Sequence, residues 1–167
     1  MIILGIDPGT TSIGYALIQG TRHEPILIDA GLLSIKSRST EDRLKELHFG
    51  VREIIKAKKP DTLAIERVFF AKNQKTALAV SEARGVVLLT TALAGLKICE
   101  YTPLEIKKII TGDGRADKLQ LKKMIQLIMP EVSRIKYQDD TYDAVSLALA
   151  CLYLVEKDYL IVHNKEC

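Results

Sequence analysis

The sequence has few of the features that mark secreted or membrane proteins. Its three cysteines, Cys99, Cys151 and Cys167, are an odd number without paired spacing, so neither a disulfide framework nor a zinc site is indicated. The apolar stretches from Val86 to Leu96 and from Ala144 to Val155 fall short of the roughly 20 residues that span a bilayer. No basic region precedes the first apolar run, so no signal peptide is expected. We therefore expect a protein of the reducing cytoplasm.

The chain also has few histidines and a small net charge. His23, His48 and His163 stand singly and lack the spacing of metal ligands. The net charge of +3 is too small to indicate a nucleic-acid partner by itself. The segment from Lys97 to Lys136 nevertheless holds nine Lys or Arg residues and five Asp or Glu, whereas the rest of the chain holds 15 and 16. Such a local excess is typical of a solvated helix face and, less often, of a phosphate-binding surface.

The length and composition fit one domain over residues 1–167. A chain of 167 residues that is 47% hydrophobic can bury a sizeable core. The sequence contains no repeat, low-complexity segment or linker that would divide it.

The chain begins with a predicted meander of three strands. Ile2 to Asp7 is an apolar run without polar alternation, which predicts a strand buried on both faces, and it ends in a carboxylate. Pro8-Gly9 predicts a tight turn, so Ile13 to Ile18 is predicted to be an antiparallel partner. Pro25 to Ile35 then predicts a third strand, kinked or bulged at Gly31.

Helices and strands alternate in the rest of the predicted fold. The predicted elements are a helix capped by Ser39 or Thr40 that runs to Lys59, a strand over Thr62 to Glu66, a long helix over Asn73 to Ala94, a strand over Ile98 to Tyr101, and helices over Pro103 to Ile109, Ala116 to Ile128 and Asp139 to Asp158. The first of these helices is long enough to return the chain parallel to the first strand. The order predicts an α/β fold with a five-stranded mixed sheet and helices on both faces.

Four carboxylates are presented from three of these elements. Asp7 and Glu66 each end an apolar strand, and adjacent parallel strands place such residues about 5 Å apart at backbone level. Asp140 and Asp143 are three residues apart on the last helix and therefore share one face. Asp139 is an alternative to Asp140, because a spacing of four also keeps one face, but it suits the helix cap better. The sequence predicts that these acids meet.

Grouped carboxylates without supporting His or Cys favour a hard divalent cation. Oxygen ligands of this kind suit Mg²⁺ or Mn²⁺ better than zinc. Two such ions about 4 Å apart activate a water and stabilise a leaving oxygen, which allows phosphodiester hydrolysis without a protein nucleophile. Without metal, the crowded acids repel one another, and at least one of them should have a raised pKa.

Four segments of the chain have a recognisable pattern, namely Ile3 to Gly9, Ala64 to Asn73, Ala83 to Val86 and Asp140 to Ala144. In order and at compatible separations, they resemble the RuvC-type crossover junction endodeoxyribonucleases. The first segment is a weak signal, whereas the strand-ending Glu followed by Val-Phe-Phe-Ala-Lys-Asn is much more specific. The resemblance covers nearly the whole chain. It implies a ribonuclease H-like fold and a homodimeric enzyme that resolves four-way Holliday junctions with Mg²⁺ in recombination and repair.

The resemblance also implies roles for individual residues. It makes Asp7, Glu66, Asp140 and Asp143 the catalytic, metal-binding acids. Phe69 matches the aromatic that stacks at the junction, and Lys107 and Lys118 match lysines near the scissile phosphates. The residues alone also allow a core position for Phe69 and a solubility role for the lysines. The sequence departs from the family pattern at Arg67, where an uncharged polar residue is common, and at the additional acid Asp139.

Two expectations about partners follow from the same resemblance. The helix from Asn73 resembles the dimer-forming helix of the family, which agrees with the nearly all-round apolar surface of its later half. A two-fold dimer can place identical sites on equivalent strands of a two-fold junction. The bacterial branch-migration complex is an implied partner as well.

Three other functions are compatible with part of the sequence. Gly5 to Thr11 resembles the phosphate-binding hairpin of actin-like and sugar-kinase-like ATPases, but 167 residues leave no room for their second domain. A ribonuclease H-like nuclease acting on RNA hybrids would share the acids but not the Phe69 segment or the dimer helix. A junction-binding module without cleavage would gain nothing from four negative charges beside phosphate.

Overall fold

The computed structural model describes residues 1–9, 12–67, 74–135 and 139–163, without the side chains of residues 74–76 and 156–163. The strands are β1 (Ile2–Asp7), β2 (Ser12–Gly20), β3 (Pro25–Ser34), β4 (Thr62–Glu66) and β5 (Lys97–Tyr101). The helices are α1 (Thr40–Lys58), α2 (Gln74–Leu93), α3 (Pro103–Thr111), α4 (Lys118–Ile128) and α5 (Asp139–His163), with a 3₁₀ helix at Pro130–Arg134. In these described ranges no helix is long and apolar enough to cross a membrane.

The strands form one mixed sheet in the order β3-β2-β1-β4-β5. β1, β2 and β3 are antiparallel neighbours, whereas β4 is parallel to both β1 and β5. Helix α1 connects β3 to β4 and returns the chain so that β4 can run parallel to β1. The predicted fold class, a ribonuclease H-like α/β fold with a five-stranded mixed sheet, is confirmed.

The sheet is covered on both faces because its strands alternate between two apolar clusters. On one face, β-strand residues such as Ile3 and Ala64 pack with α3, α4 and the buried stretch of α5 from Ala144 to Leu152. On the other face, residues such as Leu4 and Ile65 pack with α1 and α2. The odd-numbered residues of β1 therefore point towards α5, which decides where Asp7 lies.

Side-chain caps fix where the helices begin. The Ser39 hydroxyl accepts a hydrogen bond from the Asp42 N–H at 3.2 Å, so Ser39 and not Thr40 caps α1. Helix α4 begins at Lys118, two residues after the predicted start at Ala116, because Asp117 and Gln120 form a capping box.

The predicted kink or bulge at Gly31 is wrong. Gly31 pairs regularly with Tyr15, and the register of β2 and β3 shifts between Leu17 and Ile18, where Ile28 is passed over. Glycine at position 31 instead makes room for the Tyr15 ring, since a Cβ there would lie 3.1 Å from Tyr15 Cε1.

Candidate metal centre

Asp7 and Glu66 lie side by side at the carboxyl ends of β1 and β4. The parallel register pairs Ile6 with Ile65, so the next residue on each strand is one of the two acids. Both side chains point to the face of the sheet that α5 covers, because Gly5 and Ala64, two residues earlier, contact that side. The predicted juxtaposition follows from this register.

Two glycines allow α5 to approach this edge of the sheet closely. A Cβ at Gly14 would overlap the carbonyl oxygen of Asp140, and a Cβ at Gly5 would overlap that of Ala144. Gly14 is also the antiparallel partner of Asp7. The first turn of α5 therefore rests directly on the strand beside Asp7.

Hydrogen bonds from the two residues between Asp140 and Asp143 hold the first turn of α5 in place. The Tyr142 hydroxyl donates to the Val132 carbonyl at 3.1 Å and accepts a hydrogen bond from Gln126 Nε2 at 2.9 Å. The Thr141 hydroxyl donates to the Gly31 carbonyl at 3.4 Å. These bonds anchor the turn of α5 that carries Asp140 and Asp143.

The charges of the other three acids act on Asp7. Burial, followed by the charges of Asp143, Glu66 and Asp140, raises the pKa of Asp7 to about 7. Burial and then the charge of Asp143 also raise the pKa of Glu66. The expectation of a raised pKa is met at Asp7 and Glu66.

The role of Asp139 can be distinguished from that of Asp140. Asp139 is the first residue of α5. Its side chain is 78% exposed, and its charge does not contribute to the shift of Asp7, whereas that of Asp140 does. Asp140 is therefore the acid that belongs with Asp7.

Lys118 supplies positive charge to this cluster. Its Nζ lies 3.0 Å from Asp143 Oδ2 and 3.9 Å from Asp139 Oδ2. Partial burial lowers the pKa of Lys118, but the hydrogen bond to Asp143 and the nearby acids outweigh burial and raise it overall. The lysine predicted to hold phosphate thus pairs with a predicted metal ligand 25 residues away.

The donor set fits a divalent cation. Asp7 and Glu66 are partly buried acids whose carboxylates form no ion pair or hydrogen bond with the side chains that the structure describes. In the described ranges no three His, Cys, Asp or Glu side chains form a closed metal-binding group. Asp143 accepts a hydrogen bond from Lys118. Buried negative charge of this kind needs a cation, and four carboxylates suit Mg²⁺ or Mn²⁺.

An open cavity of about 230 Å³ adjoins the acids. Glu66 and Asp143 line it, and Lys107 and Lys118 contribute positive charge. Its remaining lining includes apolar side chains of α3, α4 and α5, namely Ile106, Leu121 and Leu147. The cavity therefore offers carboxylates, lysines and an apolar wall at one place.

Most of the predicted site residues lie together here. Asp7, Glu66, Asp140, Asp143 and Lys118 belong to one cluster, and Lys107 lines the adjoining cavity. Phe69 lies outside the described residues. The sequence analysis missed Gly5 and Gly14, although a glycine inside a strand is a general sign of close backbone approach.

The raised pKa of Asp7 predicts how the stability of the metal-free protein depends on pH. An acid with a pKa of about 7 in the folded state and 3.8 as a free group destabilises the fold as it ionises, so stability falls between about pH 4 and pH 7. Asp7→Asn removes that loss. In urea unfolding with chelator, the stability of this variant relative to the wild type should rise by about 1–3 kcal/mol between pH 5 and pH 8.

Asp139→Asn is the matched control for this measurement, because Asp139 is an exposed acid on the same helix turn. Its relative stability should change little over the same range. A difference between Asp7→Asn and the wild type that stays constant with pH would contradict the electrostatic description of the cluster.

Comparison with known proteins gives matches over most of the chain. A family model described as crossover junction endodeoxyribonuclease RuvC matches residues 3–151. The crossover junction endodeoxyribonuclease RuvC of Halothermothrix orenii is 42% identical over 150 residues, which cover 89% of this chain and 90% of that protein.

Solved structures agree with this match. The structure of Thermus thermophilus RuvC superposes with a TM-score of 0.85 at 25% identity and covers 95% of this chain and 97% of that one. A second structure, T. thermophilus RuvC in complex with Holliday junction substrate, superposes with a TM-score of 0.84 at 24% identity over 95% of this chain and 96% of that one.

Proposed function

The chain belongs to the RuvC family of crossover junction endodeoxyribonucleases, and we propose that it resolves four-way Holliday junctions by paired, symmetric nicks. It acts as an endodeoxyribonuclease, with residues 1–167 as one nuclease domain. The observation that carries the proposal is that the charges of Glu66, Asp140 and Asp143 all act on Asp7 at one edge of the sheet, beside a cavity lined by two lysines.

The four acids hold Mg²⁺ in this proposal, with Mn²⁺ as a substitute. Asp7, Glu66, Asp140 and Asp143 would hold a pair of such ions, which when bound would supply an activated water and stabilise the leaving oxygen of the cut strand. The fold of the chain fixes the orientation of the four acids. Asp7 and Glu66 are fixed by paired strands, and Asp140 and Asp143 by a helix turn anchored through Tyr142.

Lys118 has two partners in this mechanism. It neutralises Asp143 at 3.0 Å in the metal-free protein, and a phosphate in the cavity would compete for the same ammonium group. Lys107 also lines the cavity and is proposed to hold the backbone of the DNA. Phe69 is proposed to stack on a base near the cut, a contact that tolerates many sequences.

A homodimer is the assembly that suits this reaction. Leu78, Leu89 and Leu93 of α2 are 69%, 61% and 76% exposed, which is unusual for one helix of a monomer. Burying these side chains against a second copy of α2 would give a two-fold pair of active sites. The molecular mass in solution distinguishes a dimer from a monomer of 18.6 kDa.

The bacterial branch-migration complex stays a predicted partner from the resemblance alone. A cytoplasmic location is proposed because that compartment holds bacterial chromosomal DNA.

Selective binding tests the DNA interface without the complication of cleavage. With Ca²⁺ in place of Mg²⁺, the protein should bind a synthetic four-way junction more tightly than a linear duplex of equal length. Raising the salt from 50 to 200 mM should weaken junction binding at least about tenfold through counterion release. Lys107→Ala should weaken binding, whereas Lys45→Ala, an exposed lysine on α1, should not. Equal affinity for both DNAs, or binding independent of salt, would contradict the proposal.

A further inference from the structure

Arg84 of α2 reaches the end of β4 from the face of the sheet opposite to the acids. Its Nε donates a hydrogen bond to the backbone carbonyl of Glu66 at 3.2 Å. Its Nη2 lies 2.6 Å from Glu100 Oε2 on β5. The Arg84 side chain is only 18% exposed, so this arginine is held among its partners and not in solvent. One side chain thus joins α2, β5 and the residue that carries a proposed metal ligand.

The Glu66 carbonyl needs this donor because the sheet does not provide one. The Arg67 N–H donates to the Tyr101 carbonyl of β5 at 2.8 Å. Successive residues of a strand point their N–H and C=O groups to opposite sides, so the Glu66 carbonyl faces β1. In the parallel register, the donor for this carbonyl would be the backbone N–H of the residue after Asp7. That residue is Pro8, which has no backbone N–H.

The β1–β4 pairing accordingly ends at Ile6 and Ile65, one residue before the acids. A partly buried carbonyl without a donor is unfavourable and leaves the strand end free to move. Arg84 replaces the missing backbone donor, and Glu100 fixes the orientation of the guanidinium by a short, charge-assisted bond.

We propose that Arg84 is a positioning residue that fixes the end of β4 and thereby the direction in which Glu66 presents its carboxylate. This inference rests on the proposed metal-dependent function. Arg84 contacts neither the cavity nor the other acids in the described part of the chain, so it acts only through Glu66. Partners that orient a metal ligand typically alter metal affinity by about 10- to 100-fold when they are removed.

Mn²⁺ binding to the DNA-free protein tests the inference without relying on cleavage. Arg84→Met should weaken Mn²⁺ binding by about tenfold, as measured from the loss of the free Mn²⁺ signal in electron paramagnetic resonance. Arg84→Lys should weaken Mn²⁺ binding by a smaller factor, about threefold. Lysine keeps the positive charge, but its ammonium cannot bridge the carbonyl and the carboxylate in the geometry of a guanidinium. Arg52→Met, an exposed arginine of α1, is the control and should leave the affinity unchanged.

Thermal unfolding with chelator separates positioning from a purely structural role. A variant at Arg84 that melts earlier but binds Mn²⁺ as the wild type does would overturn the inference. If Arg84→Met does not fold, Arg84→Lys and Glu100→Gln decide, and unchanged Mn²⁺ affinity in both would overturn it. Failure of the wild-type protein to bind Mn²⁺ would instead overturn the proposed function, and this inference with it.

Discussion

Asp7→Asn lowers the rate of junction cleavage by at least about a thousandfold, because a metal ligand at a nuclease site contributes several kcal/mol to transition-state stabilisation. Binding of the junction in Ca²⁺ stays equal or becomes stronger, since the substitution removes a negative charge beside the phosphate. Single-turnover cleavage of a labelled junction and a binding titration measure the two effects separately.

Asp139→Asn is the matched control for that result. Asp139 lies one residue from Asp140 on the same turn, but its side chain is exposed and does not affect the pKa of Asp7. Its cleavage rate should stay within about threefold of the wild type, because its side chain is exposed and its ion pair with Lys118 is the longer of the two that this lysine forms. A large loss at Asp139, or loss of junction binding by a folded Asp7→Asn protein, would contradict the assignment of the acids.

Gly14→Ala is the second substitution with a large expected effect, although the added group is a single methyl. The new Cβ would overlap the backbone carbonyl of Asp140, and a backbone atom cannot turn aside as a side chain can. Helix α5 must therefore move off β2, which displaces Asp140 and Asp143 relative to Asp7. A displacement of about 1 Å can cost about a hundredfold in rate. The free energy of unfolding should also fall by about 1–3 kcal/mol.

Gly50→Ala provides the comparison at a glycine that does not contact the site. The added Cβ would lie 3.3 Å from Leu33 Cδ2, the end of a flexible side chain, and alanine favours the helix by about 1 kcal/mol. Its stability and cleavage rate should therefore remain near those of the wild type. Full cleavage activity of Gly14→Ala would show that the close approach of α5 does not position the acids.

The acidic cluster was predictable because local patterns and topology both contribute to it. Strands that end in Asp7 and Glu66, a connecting helix long enough for a parallel return and the spacing of Asp140 and Asp143 bring the acids to one edge. The choice between Asp139 and Asp140 was not predictable with the same certainty, because it depends on how α5 is rotated against β2.

Contacts between distant residues account for the features that the sequence did not predict. The pairing of Lys118 with Asp143 depends on how α4 packs beside α5. The hydrogen bond from Arg84 to the Glu66 carbonyl depends on α2 lying against the end of β4. The start of α4 is different, since the Asp117 and Gln120 capping box was present in the sequence and overlooked. The 3₁₀ helix at Pro130–Arg134 was likewise not predicted.

A nicking assay on a synthetic four-way junction and a matched linear duplex tests the central claim most directly. The reactions contain Mg²⁺, Ca²⁺ or chelator, and each strand is labelled in turn. We predict symmetric nicks on the junction in Mg²⁺ alone and no cleavage of the duplex. Junction binding without cleavage in every metal, or equal cleavage of the duplex, would contradict the conclusion that this chain is a junction-resolving nuclease.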